Sequence, residues 1–236
     1  MEKCFQNLVV KFKDKVKDWN SKYAGKIEFV YNAEQMNYLD FSQIKYILIG
    51  DNPGKNEKDD KKYFADGRGA NTAGSNARRF FAYLGVDFDK EILVLNKTPM
   101  FTKSTLELRQ YKKGYKGILA ESQRFMAELA NDFHKCLRCK MYITGLSGCY
   151  YKKGKVWILN NESSHAILPE FFLKIKELYN DSDLKYHLFI FKHFSYWKVF
   201  SDGNLNMKKI ENSNIPIDEV TKELESTKYI SELLKK

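Results

Sequence analysis

The chain has 236 residues, 43% of them hydrophobic, and 40 lysines and arginines against 30 acidic residues give it a formal net charge of +10. That length supports a sizeable core and a single domain over 1–236, and no run reaches the ~18 apolar residues of a membrane span, so no membrane partner is expected. The opening MEKCFQNLVVKFKDK scatters charge where a secretory leader would be apolar, which points to the cytoplasm, or the nucleus in a eukaryote.

Taken in chain order, residues 5–23 place Leu8, Val9, Phe12, Val16 and Trp19 on one helical stripe. Residues 46–49 form a short apolar strand that stops at Gly50-Asp51-Asn52-Pro53-Gly54, where nearly every residue is a turn former. A helical pattern over 76–84 leads to a second strand at 92–95, and a longer one over 115–133 leads to a third strand at 141–144. A small hairpin arm over 152–158, a helix over 169–179 and a fourth strand at 188–191 follow, and a charged helix over 217–236 closes the chain. Strands this continuous in apolar side chains are covered on both faces. Their alternation with helices predicts an α/β fold, a three-layer α/β/α sandwich around a central, mainly parallel four-stranded sheet, its core running over about 45–200.

Sheets of that kind bind ligands at the carboxyl ends of their strands. Those ends carry Gly50-Asp51-Asn52-Pro53-Gly54, Asn96-Lys97-Thr98-Pro99, Gly145-Leu146-Ser147-Gly148 and Lys192-His193-Phe194-Ser195. Each residue alone has a plain structural reading: Asn52 as a turn residue, Asn96 as a cap, His193 as a satisfied surface histidine. Together they bring an Asn/Asp loop, a second amide and an imidazole to one sheet edge.

In that order the motifs resemble those of the uracil-DNA glycosylase superfamily. ILIGDNPG resembles its Gly-x-Asn-Pro-Gly water-positioning loop, ILVLNKTPMFTK the strand-end motif whose Asn reads the uracil edge, and FIFKHFS its His-Pro-Ser motif, with Phe194 in place of Pro. YFADGRGANTAGSNARRFFAYLG resembles the segment that carries the base-stacking aromatic. The resemblance implies a DNA glycosylase that flips uracil or a related damaged base out of single-stranded or duplex DNA and hydrolyses its N-glycosidic bond. It also implies a monomer that works without a cofactor. His193 would face the base carbonyl, Asn52 or Asp51 would handle the water, and Asn96 would read the base. Phe64, or Tyr63, would stack on it, with Gly50, Pro53, Gly54 and Ser195 around it. Lys97, Lys192, Tyr196 and Trp197 would contact DNA, flanked by Lys55, Arg68, Arg78, Arg79, Lys103 and Lys198. The departure at Phe194 motivates an alternative, a catalytically silent module of this fold that binds nucleic acid or a protein partner.

The four cysteines do not form a secreted disulfide framework and read as reduced thiols. HKCLRCK, with Cys136, Cys139 and Cys149 ten residues beyond, has a spacing that permits zinc or an iron–sulfur cluster. Cys139, however, runs straight into a strand and Cys149 follows the next loop, which leaves little freedom for tetrahedral closure, so no metal is expected.

Overall fold

The computed structural model describes residues 2–31, 34–59, 63–64, 72–146, 149–153, 156–159, 166–191 and 193–194. The expected helix over 217–236 lies outside them. In chain order the elements are α1 (Glu2–Lys22), α2 (Glu34–Tyr38), β1 (Tyr46–Gly50), α3 (Lys55–Asp59), α4 (Ala73–Tyr83), α5 (Phe88–Glu91) and β2 (Ile92–Asn96). They continue with α6 (Leu108–Gly114), α7 (Lys116–Leu137), β3 (Lys140–Thr144), β4 (Tyr150–Lys153), β5 (Val156–Leu159), α8 (Pro169–Tyr179) and β6 (Leu188–Phe191).

The central sheet has four parallel strands in the order β2-β1-β3-β6. Ile47, Leu48 and Ile49 on β1 and Met141, Tyr142 and Ile143 on β3 are all fully buried, as two-sided coverage of the middle strands requires. Helices cover both faces, giving the three-layer α/β/α sandwich. On one side Phe81 of α4 packs on Tyr46 of β1, with ring centroids 5.5 Å apart, and on Tyr142 of β3 at 6.3 Å. On the other, α7 packs against β2 and α8, and α1 lies along α7. The stripe of α1 is buried at Phe5, Val9, Phe12, Val16 and Trp19, and Phe5 meets Phe133 of α7 at 5.3 Å. β4 and β5 pair antiparallel as the hairpin arm, two residues earlier than the sequence pattern places it and one residue longer at its end.

Local signals set the boundaries. Thr72 caps α4 through a reciprocal capping box with Ser75, and α4 is followed by Gly85 at φ +70°. The left-handed Arg138, φ +51°, stops α7 and turns the chain into β3. No described helix is long and apolar enough to cross a membrane. No disulfide joins the cysteines, and burial pushes the Cys139 and Cys149 thiols up to about 12. Among the described residues no group of three or more His, Cys, Asp or Glu side chains is placed to hold a metal ion.

Candidate functional site at the sheet edge

The parallel register sets Gly50, the last residue of β1, directly beside Asn96, the last of β2. A Cβ at Gly50 would lie 2.7 Å from Asn96 Oδ1 and 2.9 Å from a Phe64 ring carbon, so only glycine admits both side chains here. These groups open onto a cleft of about 370 Å³, whose walls include Asp51, Asn52, Glu57, Phe64, Asn96 and His193. That volume lies in the ordinary range of small-ligand sites, roughly 300–1,000 Å³. The first turn of α4, at Thr72, Ala73 and Gly74, forms a further wall and turns the positive end of the helix dipole toward the cleft.

Asp51 is held in an ion pair: its Oδ1 lies 2.5 Å from Lys97 Nζ. Lys97 is fully buried, donates a second hydrogen bond of 2.5 Å to the Thr144 carbonyl, and sits 5.5 Å from the Phe172 ring centroid. Lys97 therefore does not lie on a DNA-facing surface as the sequence reading has it; its charge is consumed by Asp51. A lysine this deep requires a counter-charge, and Asp51 supplies it. Gly145, at φ +81°, lets the Asp51 carboxylate approach, since a Cβ there would fall 2.7 Å from Asp51 Oδ1.

Asn52 is 9% exposed and engaged at both ends of its amide. Nδ2 donates to Thr102 Oγ1 at 2.9 Å and to the Pro53 and Met100 carbonyls, while Oδ1 accepts from Thr105 Oγ1 at 2.8 Å. Its amide thus fastens the loop after β1 to the segment after β2. Asp51 and Asn52 both line the cleft.

Glu57 ties the other side of the loop down. Its two oxygens accept from Gly54 N at 2.7 Å and Phe64 N at 2.8 Å, and burial raises its pKa against the lowering effect of those two bonds. Phe64 is in the left-handed region at φ +47°, a strained setting for a bulky residue, and Arg78 donates to its carbonyl. Its ring runs nearly parallel to the His193 imidazole, 21° between planes and 6.0 Å between centroids. Tyr63 is buried away from the cleft. Arg78, also 3.1 Å from Asp89 Oδ1 and stacked over Phe88, braces this corner.

His193 lines the cleft, and its pKa is held below the usual histidine range by burial first, with Lys97 adding and Asp51 opposing. The imidazole is therefore neutral at pH 7. Phe194 is 1% exposed, its ring packs 5.7 Å from Phe80, and its carbonyl accepts from Asn76 Nδ2 at 3.0 Å. The aromatic at this position anchors the histidine loop in the core, a role its sequence context did not disclose. Asn96 is 3% exposed, and its Nδ2 has no hydrogen-bond partner among the described residues.

Lys55 and Lys103 line the cleft and are exposed. Lys192, Ser195, Tyr196, Trp197, Arg68 and Lys198 lie outside the described residues. No family model matches the chain and no curated protein matches it.

Proposed function

We propose that the chain is a DNA glycosylase that hydrolyses the N-glycosidic bond of uracil or a related damaged base flipped out of DNA. The observation that carries this reading is the unpartnered, buried Nδ2 of Asn96 in a cleft that also holds Phe64, His193 and Asp51. A buried donor without a partner costs about 1–3 kcal/mol, a cost relieved when a ligand carbonyl fills the site. An amide offers both a donor and an acceptor, which suits the edge of a pyrimidine. Phe64, fixed by Glu57 and Arg78, provides the flat apolar surface for the base.

Breaking the C1′–N bond leaves negative charge on the departing base and positive charge on the sugar. The neutral His193 donates a hydrogen bond to the base carbonyl, and the amino end of α4 adds its dipole at the same wall. Asp51 orients the water and accepts its proton as the new C1′–O bond forms, and the sugar cation is stabilised by the same carboxylate. Lys97 holds that carboxylate in place through their ion pair. Asn52 contributes by positioning the loop. On this reading DNA is the partner of a monomeric enzyme, in the cytoplasm or nucleus, and the charge of +10 favours the approach of the polyanion.

The test is release of base from uracil-bearing oligonucleotides, followed by alkaline cleavage of the abasic site. Base release that is lost in Asp51→Asn and in His193→Ala, each still folded, is the expected result. Full activity in both variants would overturn the residue assignment. Salt-sensitive binding of the oligonucleotide without abasic product would favour the catalytically silent module.

A further inference from the structure

The contacts between α1 and α7 run antiparallel: Phe5 meets Phe133, Lys11 pairs with Asp132 at 3.0 Å and Lys15 with Glu121 at 3.0 Å. Carried outward, this register sets Cys4, in the first turn of α1, against Cys136, in the last turn of α7, and the two thiols share a hydrogen bond. Cys4 is exposed, Cys136 is half-buried, and neither is in a disulfide. Burial first, and then the Cys4 thiol beside it, push the Cys136 thiol up to about 11. The exposed Cys4 is therefore the thiol that meets an oxidant, with Cys136 in reach behind it. The other two sulfurs are placed elsewhere. Cys149 is fully buried, and Cys139 is hydrogen-bonded to the Ile47 backbone on β1.

The pair stands where α7 turns into β3, at the edge of the sheet where the strands begin and opposite the cleft. Beside it Phe5 is fully buried, 5.3 Å from the Phe133 ring and 6.4 Å from that of Phe41. The first turn of α1 thus covers core that opens to water whenever the turn frays. A bond between residues 4 and 136 closes a loop over more than half of the 236-residue chain, which restricts the unfolded ensemble as well as the fraying end.

We propose that Cys4 and Cys136 are a redox pair that hydrogen peroxide closes into a disulfide, clamping the amino end of α1 to the carboxyl end of α7. The Cys4 sulfur takes one oxygen from the peroxide as the O–O bond breaks, giving a sulfenic acid and one water. The Cys136 sulfur then attacks the Cys4 sulfur. The S–S bond forms, the S–O bond breaks, and the hydroxyl leaves as a second water with the Cys136 proton. Both sulfurs are oxidised and the peroxide is reduced, so that two thiols and one peroxide give one disulfide and two waters. A dithiol reductant reverses the bond by exchange. The clamp is independent of the chemistry at the cleft.

The experiment treats the reduced protein with hydrogen peroxide, with Cys4→Ser and Cys136→Ser alongside. It reads free thiols in denaturant, linked peptides by mass spectrometry, and Tm before and after dithiothreitol. Wild type should fall from its four free thiols to two and yield the 4–136 linked peptides within one chain. Its Tm should rise by about 5 °C or more and return on reduction. Cys4 is exposed, so Cys4→Ser keeps the packing and should hold the Tm of reduced wild type within about 2 °C, with no rise after peroxide. Cys136→Ser should likewise gain nothing from peroxide. Four thiols retained by wild type, a bond to Cys139 or Cys149 in place of Cys136, or cross-links between two chains would overturn the proposal. So would a sulfinic acid at Cys4 with Cys136 still a thiol, or a 4–136 bond that leaves Tm unchanged.

Discussion

The amide of Asn52 and the carboxylate of Asp51, adjacent in sequence, do different work. Asn52 bonds to Thr102 and Thr105 and fastens two loops, whereas Asp51 faces the cleft with Lys97 behind it. Asn52→Ala should therefore lower stability by about 1–3 kcal/mol, read by denaturant unfolding, because it leaves buried hydroxyl and carbonyl partners unmet. Asp51→Asn leaves Lys97 charged and buried, at a cost of about 3–5 kcal/mol. The double variant Asp51→Asn/Lys97→Met should recover most of that stability while base release stays reduced by about 10²-fold or more. Recovery of activity together with stability would show that Asp51 acts only through the ion pair. Asp51, Asn52, Asn96 and His193 were legible as strand-end residues because polar turn formers interrupt apolar runs there. The burial of Lys97 was not, since it depends on Asp51, 46 positions away in sequence, and on the Thr144 carbonyl. Phe194 was misleading for a similar reason: a loop aromatic reads as a departure from a motif until Phe80 and Asn76 are seen to hold it.

At the level of elements, the four sheet strands were readable because each is a short, nearly unbroken apolar run, and β6 has the bounds 188–191 expected of it. The long helices were readable from their stripes, although α7 runs on to Leu137, where Arg138 in the left-handed region stops it. The short helices α2, α3, α5 and α6 carry too few turns for a stripe to register, and their positions are set by tertiary contacts. One such contact is testable by pH. His134 on α7 is fully buried, with Nδ1 2.7 Å from the Tyr179 hydroxyl of α8, and its pKa is lowered to about 4 by burial and then by His187. The unfolded chain takes up this proton near pH 6.5, while the folded chain resists it until about pH 4. Its contribution is thus fully present above pH 6.5 and lost as pH falls toward about 4, by up to roughly 3 kcal/mol. Unfolding free energies of wild type and His134→Gln, measured between those limits, should differ in slope by this amount. Parallel curves would contradict the assignment.

Across the whole molecule, the parallel order β2-β1-β3-β6 brings the carboxyl ends of all four strands to one edge, so residues far apart in sequence build a single cleft. Asn52, Asn96 and Thr105 meet there through loops of very different length, while Phe64 reaches it only by adopting a strained backbone held by Glu57. A second groove adjoins that edge through Thr102 and Lys103, which line both. The central claim is that this edge releases a base read by Asn96. It is tested most directly by incubating wild type and Asn96→Ala with end-labelled single-stranded and duplex oligonucleotides carrying one uracil, then treating with alkali. Strand cleavage at the uracil by wild type, reduced by about 10²-fold or more in a folded Asn96→Ala, is the predicted result. No cleavage of any uracil strand by wild type, or undiminished cleavage by Asn96→Ala, would contradict it.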